Sequence, residues 1–186
     1  MSDLPHLAAL MQRRNDVDHQ IASIIGRPPH SGHIGEFVAA AIFGIDLHAS
    51  AATKGHDGFF REGPLAEKSV NVKYGTRRDG MLNLVHSVDL AAHPDYYLVL
   101  TGPIATSFSS VGLKAPWVIH AVYLFESRKL VEHLTSLGRH PGLATNVRQA
   151  RWNDAMLYLE PQNPLLGLTA GQRSDLELFR GIEVSV

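Results

Sequence analysis

Cysteine is absent from the 186-residue chain, which excludes disulfide scaffolds, thiolate zinc sites and cysteine nucleophiles and makes a cytoplasm the simplest compartment. Long hydrophobic runs are missing too. The longest apolar stretches, residues 37–45 and 96–100, fall short of the roughly 18 residues a membrane span needs, and Asp3 and His6 precede any apolar run, so neither a span nor a secretory signal is visible. An excess of one charge is also lacking. With 17 Lys and Arg against 18 Asp and Glu, the net charge is -1, which argues against coating nucleic acid by bulk electrostatics. The G-x-S-x-G of serine hydrolases, a Walker-type phosphate loop and the G-x-G-x-x-G of dinucleotide-binding folds do not occur. What is present is enough apolar material, 45% of residues including 7 Phe and 2 Trp, to bury a core. The length bounds the chain to a single domain over 1–186, with room for a small appendage.

The charges are unevenly spread. Residues 54–78 carry six basic side chains (Lys54, Arg61, Lys68, Lys73, Arg77, Arg78) against three acidic ones, a local +3, and residues 128–151 carry five against one, a local +4. A basic surface facing an anionic ligand is therefore compatible with a near-neutral whole. Residues 4–25 repeat apolar side chains every three or four positions, interrupted by polar 13–16, and predict one or two helices closed by Gly26. Residues 27–32 read as a loop. The stretch 34–44 is helical in pattern and apolar nearly all round, so it should be buried on most of its surface. The period then shifts to two. A short strand at 45–51, a strand end at 58–61, a turn over 62–67 and a strand at 69–74 make a hairpin. Two β-branched and aromatic runs, 96–100 and 117–125, predict adjacent, buried central strands. Helices are expected at 127–137, 146–153 and 169–180, the last capped by Thr169, with a strand at 156–159; residues 79–95 give no clear assignment. The fold class is α/β, with α+β as the alternative: a mixed sheet flanked by helices.

Candidate chemistry concentrates in four residues. Glu36 is the only charged side chain between Ile34 and Ile45, on the side of Ala39, Ala40 and Phe43, so its carboxylate needs a partner. On the strand 69–74, Val70, Val72 and Tyr74 take one face while Asn71 and Lys73 take the other. A turn centred between Pro64 and Leu65 would set Asp57 opposite Val72 and beside Asn71 and Lys73, so that acid, amide and amine converge.

A helical Glu, an Asp twenty-one residues later and a polar-x-Lys on the next strand together resemble the PD-(D/E)XK nuclease-like superfamily. That resemblance covers residues 31–125, leaving 1–26 as an N-terminal helical segment and 126–186 as accessory elements. It implies a restriction-endonuclease-like fold, in which Glu36 matches the helix Glu, Asp57 the motif Asp, Asn71 the position usually acidic and Lys73 the motif Lys. It further implies a nuclease that cuts nucleic acid, DNA being the first expectation, with Mg²⁺ or Mn²⁺ held by Glu36, Asp57 and Asn71, and with Lys54, Arg61, Arg77 and Arg78 on the phosphate backbone. His56 stands where the motif has Pro, and Asn71 replaces a carboxylate with a neutral oxygen donor, which weakens a site for a hard cation.

Two other readings stand beside it. A non-catalytic nuclease-like module, binding nucleic acid or a protein partner, is favoured by Asn71. A zinc hydrolase is favoured by the spacing of His30, His33 and Glu36 among eleven His, a triad with one open position. Whether the chain forms a homodimer is left open by the sequence.

Overall fold

The computed structural model describes residues 3–49, 55–76, 81–82, 93–102, 117–138, 145–147 and 149–181. The first apolar stripe forms one continuous helix, α1 (Leu4–Ile25), and the loop after it leads into α2 (Ser31–Phe43). Gly26 and Gly44 end these helices with φ of 68° and 63°, a left-handed conformation that a Cβ disfavours. After Gly44 come β1 (Ile45–Leu47), β2 (Gly58–Phe60) and β3 (Ser69–Thr76), then β4 (Met81–Leu82), β5 (Tyr96–Gly102) and β6 (Ala121–Glu126). The chain closes with α3 (Ser127–Ser136), β7 (Thr145–Asn146), α4 (Gln149–Ala155), β8 (Met156–Tyr158) and α5 (Ala170–Glu177). Thr169 caps α5 through a reciprocal pair, its hydroxyl accepting from Gln172 N–H while the Gln172 side chain accepts from Thr169 N–H, the capping-box arrangement.

Six strands build one mixed sheet in the order β1-β2-β3-β5-β6-β8, with β3 and β5 parallel and the other neighbours antiparallel; β4 and β7 form a separate pair. Alternation along the strands gives the sheet two cores. Val70, Val72, Leu98, Leu100, Val122 and Leu124 pack beneath α2 and α5 with Val38, Ala39, Ile42, Phe43 and Leu176. Tyr97, Val99, Tyr123 and Phe125 pack on the other face with Leu130 and Leu134 of α3 and Trp152 of α4. Each fully buried Leu or Val contributes about 1.5–3 kcal/mol, so the central strands β5 and β6, apolar on both sides, hold the molecule together. Their adjacency and burial agree with the sequence expectation. The second strand is shorter than expected: residues 117–120 precede it, and Ile119 N–H donates to Phe179 O and His120 N–H to Thr101 O in place of a ladder. Among the described residues no helix is long and apolar enough to cross a membrane.

Tyr158 ties β8 to α5. It is 2% exposed and donates its hydroxyl to Glu177 Oε1. Burial and that carboxylate push its phenol from 10.0 up to about 12. The folded value lies above the unfolded one, so the stability it contributes is complete below about pH 10 and is lost as pH rises through about 12. Alkaline titration followed by phenolate absorbance should show a step near pH 12 that Tyr158→Phe removes.

Candidate functional site

The hairpin of β2 and β3 brings Asp57 beside the strand that carries Asn71 and Lys73 on one face. Its loop contains a 3-10 turn (Gly63–Leu65) and a left-handed Glu67 with φ 65°. Pairing is Gly58 with Val70 and Phe59 with Ser69, one residue away from the register a turn centred between Pro64 and Leu65 would give. Asp57 lies just before the paired residues, its N–H donating to Val70 O at 2.8 Å, and does not pair with Val72. The pairing of β2 with β3 goes no further than Gly58, and beside β3 the Asp57 carboxylate takes a backbone donor: Oδ2 accepts the Val72 N–H at 2.6 Å.

Asn71 and Lys73 lie on the face opposite Val70 and Val72, beside Tyr97 and Val99 of β5. Asn71 is 7% exposed, and its Oδ1 is buried without a hydrogen-bond partner among the described residues. An orphaned buried acceptor costs about 1–3 kcal/mol. Lys73 is half-buried and takes part in no ion pair among the described residues.

Glu36 arrives from the other layer. Its helix passes so close to β3 that a Cβ on Gly35 would meet Tyr74 Cβ at 3.0 Å, which places Glu36 next to the strand carrying Lys73. Its partner is Arg27, from the loop that composition marked only as loop: Arg27 Nη1 donates to Glu36 Oε2 at 2.7 Å, and Nη2 to His48 O at 2.5 Å. Burial raises the Glu36 pKa, and the charge of Asp57 raises it further, against the lowering effects of Arg27, His33 and Lys73. Asp57 and Lys73 thus both act electrostatically on the Glu36 carboxyl.

No family model matches the chain, and no curated protein does.

The sequence reading missed Arg27 and an aromatic group beside the site. His48 Nε2 and His56 Nδ1 lie 2.9 Å apart, one donating to the other, and Phe59, 40% exposed, packs edge-on to both rings. Burial and His48 lower the pKa of His56, opposed by Asp57 and Asp95. Eleven His in the composition hinted at such a group, but nothing local joined positions 48 and 56. Arg61 is exposed near Asp46, Nε to Oδ1 at 3.7 Å, a contact that water and salt weaken. Lys54, Arg77 and Arg78 lie outside the described residues. Residues His30, His33 and Glu36 do not form a zinc triad: His33 Nδ1 bonds to Pro28 O at 2.8 Å, Glu36 is held by Arg27, and no three His, Asp or Glu form a metal-ligating group among the described residues.

The oxygens at the site are of the hard type. Asp57 offers a carboxylate beside β3 and Asn71, on that strand, an amide carbonyl with no partner among the described residues, while Glu36 lies on the α2 side of the strand. That donor set suits Mg²⁺ or Mn²⁺, with water completing the coordination, better than a softer ion.

Proposed function

We propose that this chain is a metal-dependent nuclease of the PD-(D/E)XK nuclease-like superfamily, hydrolysing phosphodiester bonds of nucleic acid, DNA first among them. The observation that carries the reading is Oδ1 of Asn71, buried and without a partner among the described residues, on the same strand face as Lys73 and one residue from Val72, whose N–H the Asp57 carboxylate accepts. A fold tolerates such an acceptor most readily where a ligand satisfies it. Asp57 and Asn71 would hold the ion, while Glu36, held by Arg27 on the α2 side of β3, would add negative charge near Asp57. A bound Mg²⁺ supplies a Lewis acid and lowers the pKa of an attacking water. Lys73, in no ion pair among the described residues, would orient the attacking water or stabilise charge developing on the phosphate. Arg61 can leave Asp46 for a backbone phosphate, and Phe59 offers a ring face to a base.

A second reading has its own support. Arg27 occupies Glu36, and Asn71 brings no charge, which is the arrangement a non-catalytic nucleic-acid-binding module would show. Calorimetric titration with Mg²⁺ or Mn²⁺, combined with cleavage assays on single- and double-stranded DNA and RNA, separates the two. The nuclease reading expects ion binding and cleavage, with Asn71→Asp tightening the ion and raising the rate at limiting Mg²⁺. Absence of cleavage in both wild type and Asn71→Asp leaves the binding module.

A further inference from the structure

The helix α1 is the element least accounted for by the fold around it. None of its 22 residues is buried, and the half-covered ones, Asp18, Ile21, Ala22 and Ile25, lie toward its C-terminal end. Leu4, Leu7, Leu10, Met11, Val17 and Ile24 are 44% to 69% exposed. A helix gains most of its stability from packing an apolar face, and exposed contiguous apolar stripes mark interaction surfaces.

The pattern of the stripe specifies what covers it. Leu7, Leu10, Arg14, Val17, Ile21 and Ile24 alternate spacings of three and four, the 3.5-residue period that winds one helix around another with a left-handed supercoil. Arg13 precedes one seam position and Asp18 follows another, five residues apart. In a parallel pair, these flanking positions face each other across the seam. Each Arg13 would meet Asp18 of the partner subunit, and twofold symmetry makes the contact twice. Arg14, the one charged seam residue, is already held by Asp18 of its own helix, Nε to Oδ2 at 3.5 Å, so its stem can lie across the seam with its charge outside. A single charged seam residue also sets register and favours two strands.

We propose that α1 is a dimerisation helix forming a parallel two-stranded coiled coil with a second copy of this chain. The inference is independent of the nuclease reading, so its test uses the full chain without metal or nucleic acid. Sedimentation equilibrium should give twice the 20.4 kDa chain mass. Leu10→Glu/Val17→Glu should weaken self-association by about a hundredfold or more while circular dichroism and melting of the body are kept, because both positions are exposed in the single chain. Arg13→Glu, which opposes Glu to Asp18, should weaken the dimer, and Arg13→Glu/Asp18→Arg should restore it. A monomeric wild type at all concentrations, a dimer indifferent to Leu10→Glu/Val17→Glu, or a charge exchange without rescue would each overturn the proposal.

Discussion

Asp57→Ala is expected to abolish both divalent-ion binding and phosphodiester cleavage, whereas Lys73→Ala should keep most of the ion binding and lower turnover by about two orders of magnitude or more. The two differ because of what each side chain touches. Asp57 supplies the carboxylate that would hold the ion and also accepts the Val72 N–H, so alanine removes a ligand and strands a backbone donor. Asp57→Asn separates the effects: the amide oxygen still accepts from Val72, the fold is kept, and the ion loses its charged ligand. Lys73 is bound in no ion pair among the described residues, so its truncation should leave stability within about 0.5 kcal/mol. Ion titration, single-turnover cleavage and a melting curve on the three variants check the set. Cleavage surviving in Asp57→Asn would remove Asp57 from the catalytic reading.

The largest structural effect is expected from Gly58→Ala. A Cβ at Gly58 would lie 2.2 Å from Asp46 O, 2.9 Å from Asp46 C and 3.0 Å from Leu47 Cα, all backbone atoms of β1. No side chain can rotate away to make room. The two strands would have to separate, breaking the Leu47–Gly58 register and moving Asp57 with it. A loss of roughly 3 kcal/mol or more is expected, which for a chain of this size lowers the melting midpoint by roughly 6–12 °C. Gly63→Ala is the control: no atom of the described residues lies within 4 Å of its Cβ position, so only the strain of its φ of 80° remains, about 1 kcal/mol. Equal melting of Gly58→Ala and wild type would mean that β1 does not lie where described.

Local signals carried most of the element assignments. The glycines that end α1 and α2 and Gly138 after α3 do so through their own backbone freedom, and Thr169 caps through a residue three positions away; such short-range devices are readable without tertiary knowledge. The alternation that put Asn71 and Lys73 on one face of β3 belongs to the same class. Legibility ended where a contact joined distant segments. Glu36 was seen to need a partner, but Arg27 is chosen by how the loop over α2 folds back, which no spacing encodes. The hairpin register moved by one because the loop takes a 3-10 turn and a left-handed Glu67, where midpoint arithmetic assumes a symmetric turn. Residues 117–120 are apolar enough for a strand, yet their backbone N–H groups donate to Thr101 O, to the Tyr74 hydroxyl and to Phe179 O, the last more than fifty residues away.

The placement of the two tryptophans has a spectroscopic consequence. Trp117 stacks on Tyr74 with centroids 4.9 Å apart and donates to Ser31 O at the start of α2, while Trp152 is buried among Tyr123 and Phe125 on the opposite side of the sheet. Each layer therefore carries its own intrinsic fluorophore. Emission from Trp117 follows the seam between α2 and the strand that bears Lys73, and emission from Trp152 follows the layer of α3 and α4. With one tryptophan replaced at a time by phenylalanine, the order in which the two layers come apart in denaturant becomes directly observable, without any external label.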